Sequence, residues 1–188
     1  MLTLADLIQP THQFVVVSGP FRAGKSLFIT SFTEQTLEMV DITACIANTA
    51  PEPLGKLELA DGEVLYLLEW RGPLLVKALQ EMLGSALLGM IVVTDSSDPT
   101  CLREARAIVQ QLPSLPVVTA ANPHQPAKAW PLEVLRIALK LREEDALMAC
   151  DAAQHQDTVS VVLKLIELLP DSPFAEKLKT ALIEANLL

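Results

Sequence analysis

The motif GPFRAGKS, at residues 19–26, constrains the fold of this 188-residue chain more than any other feature. It matches the pattern G-x-x-x-x-G-K-[ST], which is rare by chance in a chain with only seven glycines. A β-branched apolar run at 14–17 precedes the motif, and an amphipathic helical pattern at 25–35 follows it. A loop between a buried strand and a helix directs successive main-chain N–H groups at an anion. The motif therefore predicts a phosphate-binding loop in an α/β domain.

The loop residues have separate expected roles. Lys25 is expected to reach the β- and γ-phosphates of a nucleotide, and the Ser26 hydroxyl is expected to bind Mg²⁺. The alternative is a loop that kept its sequence and lost its nucleotide. The predicted nucleotide contacts of the loop are Gly19, Pro20, Phe21, Arg22, Ala23, Gly24, Lys25, Ser26 and Leu27.

Composition narrows the choice of partners. The formal net charge is −9 at pH 7, so general binding to nucleic acid or to an anionic membrane is disfavoured, and an anion site has to be built locally. Three scattered cysteines without a C-x-x-C pair indicate neither a disulfide framework nor a zinc site, and they favour a cytoplasmic protein. The N-terminal sequence has no signal-peptide pattern, and no apolar run is long enough to span a membrane.

Strand and helix patterns alternate along the chain, which predicts an α/β fold with a six-stranded, mostly parallel sheet and helices on both faces. Asp61-Gly62 marks a hairpin turn that should add a single antiparallel edge strand. Residues 1–170 are expected to form one nucleotide-binding domain, with a C-terminal helix at 171–188 packed on it or, alternatively, forming a dimer or partner contact. The predicted strands are 14–17, 55–59, 64–68, 88–94, 115–120 and 146–150.

These motifs together resemble Ras-like small GTPases over about residues 13–169. The loop GPFRAGKS in particular resembles the GPFxAGK[ST] loop of bacterial GTP-binding proteins that are related to the gliding-motility type and often linked to Roadblock-type partners. The resemblance implies GTP or GDP with Mg²⁺ as ligands. It also implies a protein regulator or effector as partner, with a Roadblock-type protein as the candidate.

The resemblance assigns the Mg²⁺ and γ-phosphate positions. Thr49 is the first candidate for the switch I threonine that binds Mg²⁺, and Thr43 is the second. The D-x-x-G motif of the family reads Glu69-Trp70-Arg71-Gly72 here, so Glu69 is expected at the metal and Gly72 at the γ-phosphate. Trp70 is expected either to face a partner or to cover the edge of the nucleotide.

The resemblance also implies slow hydrolysis. The residue after Gly72 is usually a glutamine that orients the attacking water, but here it is Pro73, which has no suitable donor or acceptor. Arg71 and Arg22 are the tentative catalytic residues, because either could supply charge to the transition state in cis, although a merely structural arginine is the simpler interpretation.

The base-recognition motifs depart further from the family pattern. The N-K-x-D motif reads Asn122-Pro123-His124-Gln125, so Asn122 and Gln125 are the expected base contacts. Glutamine offers one acceptor where the family carboxylate offers two, which weakens guanine selectivity. The last motif corresponds to residues 150–152, with the N–H of Asp151 as the expected donor to the base. The predicted contacts in this last motif are Cys150, Asp151 and Ala152.

These motifs support two functional hypotheses. The first is a small GTP-binding switch with slow hydrolysis, which acts through changes in loops 41–54 and 69–78. The second is a pseudo-GTPase scaffold without effective turnover or guanine selectivity. A small-metabolite kinase is a weaker third hypothesis, because such enzymes need several lid arginines and the chain has only 14 Lys and Arg residues.

Overall fold

A computed structural model describes residues 2–42, 51–71, 76–112, 115–169 and 172–186. Within these ranges the strands are β1 (Leu2–Thr3), β2 (His12–Ser18), β3 (Glu38–Asp41), β4 (Glu52–Glu58), β5 (Val64–Glu69), β6 (Leu87–Asp95), β7 (Val117–Asn122) and β8 (Ala146–Ala149). The helices are α1 (Leu4–Leu7), α2 (Lys25–Thr33), α3 (Val76–Leu83), α4 (Pro99–Val109), α5 (Leu132–Leu139), α6 (His155–Glu167) and α7 (Pro173–Asn186).

The strands form one mixed sheet with the order β1-β3-β4-β5-β2-β6-β7-β8. Among the described strands β4 alone runs opposite to the others, since it pairs antiparallel with both β3 and β5. β2 lies between β5 and β6 and pairs with both in parallel. The phosphate-loop motif therefore follows a central strand, at the carboxyl edge of the parallel part of the sheet.

The α/β class is confirmed, but the prediction of six strands is wrong, because the described sheet has eight. The two additional strands, β1 and β3, lie beyond β4, so the hairpin strand is internal and not at the edge. β1 has only two residues, and β3 buries only Val40 fully. Neither segment has the apolar alternation or the continuous apolar run by which a strand is recognised in a sequence.

Both faces of the sheet are covered, which explains why its central strands are apolar throughout. All six residues of β5 are buried, as expected for a strand between two helical layers. One core cluster includes Phe28 of α2 and Val162 of α6, and the other includes Leu102 of α4 and Leu135 of α5. The parallel strands therefore end at one edge that is framed by helices on either side.

Helix α7 packs on the same core as α2 and α6. Phe174, Leu178 and Leu182 are buried in that cluster. Lys177 Nζ also lies 2.6 Å from Asp61 Oδ2 and 3.0 Å from Glu63 Oε1, which joins the helix to the turn between β4 and β5. No helix in the described parts of the chain is long and apolar enough to cross a lipid bilayer.

Candidate functional site

The loop between β2 and α2 adopts a conformation that requires glycine at two positions. Gly19 has φ +145°, and a Cβ atom there would overlap the carbonyl oxygen of Val93 on β6. Gly24 has φ +101°, and a Cβ atom there would lie 2.5 Å from Asn122 Nδ2. Close backbone approach and left-handed φ values both favour glycine. The two glycines of the motif therefore hold the loop against β6 on one side and against the end of β7 on the other.

Lys25 folds back over the loop that it follows. Its side-chain Nζ donates hydrogen bonds to the carbonyl oxygens of Gly19 (3.1 Å) and Pro20 (2.9 Å). The residue is only 6% exposed. Burial lowers the pKa of the Lys25 ammonium, although the charge of Glu69 acts in the opposite direction. A buried ammonium gains more from a phosphate charge than an exposed one does, because water screens it less.

Glu69, at the end of β5, is an acidic group in contact with the start of α2. Ser26 Oγ donates to Glu69 Oε2 at 2.5 Å, and Arg71 Nε lies 2.9 Å from Glu69 Oε1. The Glu69 residue is 3% exposed. Both carboxylate oxygens are therefore engaged, one by the residue expected at Mg²⁺ and the other by a tentative catalytic arginine.

Glu52, the first residue of β4, is a second buried acid beside this group, and the sequence pattern did not point to it. Its Oε1 accepts a 3.4 Å hydrogen bond from the main-chain N–H of Arg71, and its Oε2 lies 3.8 Å from Arg71 Nε. Oε2 has no hydrogen-bond partner, and burial raises the pKa of the Glu52 carboxyl. Residues 41–53 show no clear period, so nothing in that segment indicated a buried carboxylate.

The oxygen donors of this cluster suit a hard cation. The Ser26 hydroxyl and the Glu69 carboxylate lie within hydrogen-bond distance, and Mg²⁺ prefers such oxygen ligands together with water and phosphate. The described residues contain no group of three or more His, Cys, Asp or Glu side chains arranged around a metal position. Thr49 and Thr43, like Gly72 and Pro73, lie outside the described residues. Ser26 and Glu69 therefore fit a metal that takes most of its ligands from a nucleotide and water.

Arg71 offsets part of the negative charge of Glu69 and Glu52, so its replacement should make the protein more sensitive to divalent cations. We expect Arg71→Gln to lower the free energy of unfolding by about 1–3 kcal/mol, a value reduced because the arginine is half exposed. We also expect Mg²⁺ to raise the melting temperature of Arg71→Gln more than that of the wild type. Thermal unfolding with and without Mg²⁺ measures both effects.

The matched control is Arg142→Gln, because Arg142 pairs with Asp145 and Glu144 on an exposed surface. That substitution should have little effect on the free energy of unfolding and leave the Mg²⁺ response unchanged. An identical Mg²⁺ response in wild type, Arg71→Gln and Arg142→Gln would contradict the assignment of a cation position at Glu69.

Asn122, the last residue of β7, connects two loops of the site. Its Nδ2 donates to the carbonyl oxygen of Ala23 at 2.9 Å, and its Oδ1 accepts from the N–H of Ala152 at 3.1 Å. The residue is 4% exposed. One buried amide thus joins the phosphate loop to the loop after β8, and both of its bonds are made within the protein.

The other base-recognition candidates occupy different environments. Gln125 is exposed, whereas Cys150 is buried and its thiol pKa is raised to about 12, chiefly by burial. The N–H of Asp151 donates to Asp157 Oδ2 at 2.8 Å. The expected role of this N–H as a free donor to a base is thus opposed by an internal hydrogen bond, which a ligand would have to replace.

Asn122→Asp should show how much the fold depends on this amide. The substitution keeps the shape but puts a carboxylate oxygen against the Ala23 carbonyl, so we expect a loss of at least about 2 kcal/mol in the free energy of unfolding. Urea denaturation measures it. Gln125→Glu makes the same charge change at an exposed position in the loop that follows β7 and should cost less than about 0.5 kcal/mol. Equal effects of the two substitutions would contradict the bridging role of Asn122.

A cleft of about 450 Å³ opens over the phosphate loop. Phe21 at its edge is 82% exposed, and the Arg22 guanidinium lies 5.4 Å from the centre of the Phe21 ring. A hollow of about 490 Å³ lies at the opposite edge of the sheet, near the starts of β7 and β8, and none of the described motif residues lines it. The residues lining the cleft are Phe21, Arg22, Gly24, Lys25, Ser26, Leu27, Glu69, Arg71 and His124.

Trp70 corrects another expectation. It is 2% exposed and belongs to the core cluster on the α4 and α5 face of the sheet, and it does not line the cleft. Its main-chain N–H donates to the carbonyl oxygen of Val17 at 2.9 Å, which continues the pairing of β5 with β2. Trp70 therefore neither faces a partner nor covers the nucleotide cleft in this structure.

Comparison with known proteins identifies the architecture. No family model and no curated protein matches the chain. The G domain of the FeoB iron transporter of T. maritima superposes with a TM-score of 0.58 at 16% identity, covering 83% of this chain and 98% of that one. The chain has the fold of a G domain. The cytosolic domain of L. pneumophila FeoB superposes with a TM-score of 0.57 at 15% identity, covering 82% of this chain and 68% of that one.

The G-domain fold gives the cleft a structural context. In parallel α/β sheets, ligands bind at the carboxyl ends of the strands. The cleft over the phosphate loop lies at that edge, with Lys25, Ser26 and Glu69 in its lining. The hollow at the other edge of the sheet does not share this position.

Proposed function

We propose that this chain is a small GTP-binding protein that acts as a nucleotide-dependent switch with slow intrinsic hydrolysis. The proposal rests chiefly on one observation, which is the buried Lys25 folded over a glycine-shaped loop at the carboxyl edge of a G-domain sheet. A buried ammonium beside main-chain N–H groups at a helix start is suited to the phosphates of a nucleotide. GTP and GDP, with Mg²⁺, are the proposed ligands.

Different residues of the chain would bind the phosphates, hold the metal and position the loops. Lys25 binds phosphate oxygens, Ser26 and Glu69 hold the metal, and Asn122 keeps the phosphate loop against the loop after β8. Mg²⁺ would neutralise phosphate charge when bound. Thr49 and Gly72 are the proposed sensors of the γ-phosphate.

Slow hydrolysis follows from the residues available near the γ-phosphate. Pro73 cannot orient water, and Arg71 is paired with Glu69 and Glu52, so its charge is already compensated. Arg22 is exposed at the rim of the cleft and is the remaining candidate for charge in cis. We propose that a protein partner, with a Roadblock-type protein as candidate, binds residues 41–54 and 69–78 and senses the nucleotide state.

The decisive experiment is to identify the nucleotide that copurifies with the protein. Heat denaturation should release GDP or GTP, detected by chromatography, and titration with Mg²⁺ should show tighter binding of GTP and GDP than of ATP. Absence of Mg²⁺-nucleotide binding at millimolar concentrations would refute the proposal.

A pseudo-GTPase scaffold is the second candidate, and one observation favours it. Gln125 is exposed and does not line the cleft, while the Asp151 N–H is bonded to Asp157, so two expected base contacts are not directed at a ligand. A scaffold should bind GTP, GDP and ATP equally weakly and show no turnover. Measurable GTP turnover that Lys25→Ala abolishes would exclude it.

A further inference from the structure

His124 is a residue of the cleft to which neither the motifs nor the fold assigns a role. Among the described residues that line the cleft, His124 alone comes from the loop after β7. All the others belong to the phosphate loop, the first turn of α2 or the end of β5 and the residues that follow it. The His124 side chain is 42% exposed, so it is open to a ligand in the cleft.

Asp95 at the end of β6 holds the His124 imidazole in place. Asp95 Oδ2 lies 3.3 Å from His124 Nδ1, and Asp95 Oδ1 accepts a 3.3 Å hydrogen bond from the His124 main-chain N–H. Ser97 donates to the same Oδ1 from its N–H (2.8 Å) and its hydroxyl (2.6 Å). Burial alone would raise the pKa of the Asp95 carboxyl, but these hydrogen bonds and the imidazole lower it below its usual value.

The carboxylate determines which imidazole nitrogen remains available. An ionised carboxylate is an acceptor and favours a protonated nitrogen beside it, so the tautomer with its proton on His124 Nδ1, the atom 3.3 Å from Asp95 Oδ2, is favoured. Nε2 is then the atom left for a ligand. It accepts a hydrogen bond when the ring is neutral and donates one when the ring is protonated.

We propose that His124 is a phosphate-binding residue, which gains a proton at Nε2 when a polyphosphate enters the cleft and donates it in a hydrogen bond to a phosphate oxygen. This inference rests on the proposed nucleotide-binding function. The proton comes from solvent, and the ring that takes it up is an imidazolium with Asp95 on one side and phosphate on the other. The phosphate, not the base, is assigned to His124 because its neighbours in the cleft are the phosphate-loop residues.

Proton uptake on binding is the property that distinguishes this role. The charged groups facing the cleft with His124 are Arg22, Lys25, Arg71 and Glu69, and Asp95 contacts the ring from behind. A polyphosphate offsets the positive charges and favours the imidazolium. Since the bound state then holds more protons than the free state, affinity should rise as the pH falls.

The test is calorimetric titration of the full chain with Mg²⁺-GTP and with inorganic triphosphate, each in two buffers of different ionisation enthalpy. The wild type should take up more protons than His124→Gln, with a difference of up to about one proton per site. His124→Gln should also bind both ligands about 10-fold or more weakly. Asp95→Asn, which keeps the shape of the side chain, should reduce proton uptake through the loss of its charge.

The matched control is His155→Gln. His155 Nδ1 lies 2.8 Å from the carbonyl oxygen of Ser31, and the residue does not line the cleft, so proton uptake should equal that of the wild type. Unfolding temperatures of all variants verify that they are folded.

Three other results would overturn the inference, and they can be told apart. Equal proton uptake and affinity in wild type and His124→Gln would remove the role of His124 and leave the proposed function standing. Weaker binding of GTP with unchanged binding of triphosphate would assign His124 to the base and overturn the phosphate role. Failure of the wild type to bind either ligand would overturn both the inference and the proposed function.

Discussion

Nucleotide affinity is expected to fall at least roughly 100-fold when Lys25 is replaced by methionine. Methionine keeps much of the buried aliphatic stem and removes the ammonium, so the change isolates the charge. Lys25 Nζ is the buried cation held by the carbonyl oxygens of Gly19 and Pro20. A nucleotide phosphate would replace these neutral acceptors by a charged one. Calorimetric titration with Mg²⁺-GTP measures the loss.

The control for this prediction is Lys128→Met, which makes the same change in net charge at an exposed position between β7 and α5. It should change the affinity less than about threefold, since exposed charges are screened. If Lys25→Met binds as tightly as the wild type, the main-chain N–H groups alone hold the phosphates and the role given to Lys25 is wrong.

The largest effect on stability is expected from Gly19→Ala. A Cβ atom at this position overlaps the carbonyl oxygen of Val93, which is part of the central strand β6 and has no freedom to move aside. Overlap with backbone and an unfavourable φ of +145° together should lower the free energy of unfolding by about 2–6 kcal/mol. Urea denaturation measures the effect. If the loss in the free energy of unfolding is about 6 kcal/mol, the variant should not accumulate as soluble protein.

Gly62→Ala separates the two causes of that loss. Gly62 also has a left-handed φ, +82°, but a Cβ atom there meets nothing within 4 Å. Its replacement should therefore cost only the conformational strain, about 1 kcal/mol. Equal losses for the two variants would mean that the contact with Val93 contributes nothing to the requirement for glycine.

The central part of the fold could be predicted because its residues repeat one physical signal. Strands such as β5 and β6 are buried on both faces, so they appear in the sequence as continuous apolar runs with turn residues at their ends. The short strands β1 and β3 lack that signal, since their pairing depends on β4 and on each other. These two strands form because the folded sheet offers them an edge to pair with, and their local sequences do not indicate this.

The candidate site also has a part that the sequence predicts and a part that it does not. The phosphate loop is contiguous, so its spacing alone indicated Lys25 and Ser26. Other residues of the site come from separate strands and loops, and only folding brings them together. Glu52 reaches the acidic group around Glu69, and Asp95 meets His124 at the cleft. The misplacement of Trp70 has a similar cause, because a tryptophan next to a motif residue gives no indication of which face of a strand end it occupies.

The burial of Trp70 gives the protein an internal optical probe. The chain has only two tryptophans, and Trp70 is 2% exposed while Trp130 is 36% exposed. Trp70 adjoins Glu69 and Arg71 in sequence, so rearrangement of that acidic cluster by a cation would change the surroundings of the indole. In a Trp130→Phe background, emission wavelength and access of a soluble quencher would report on this one position, without any attached dye.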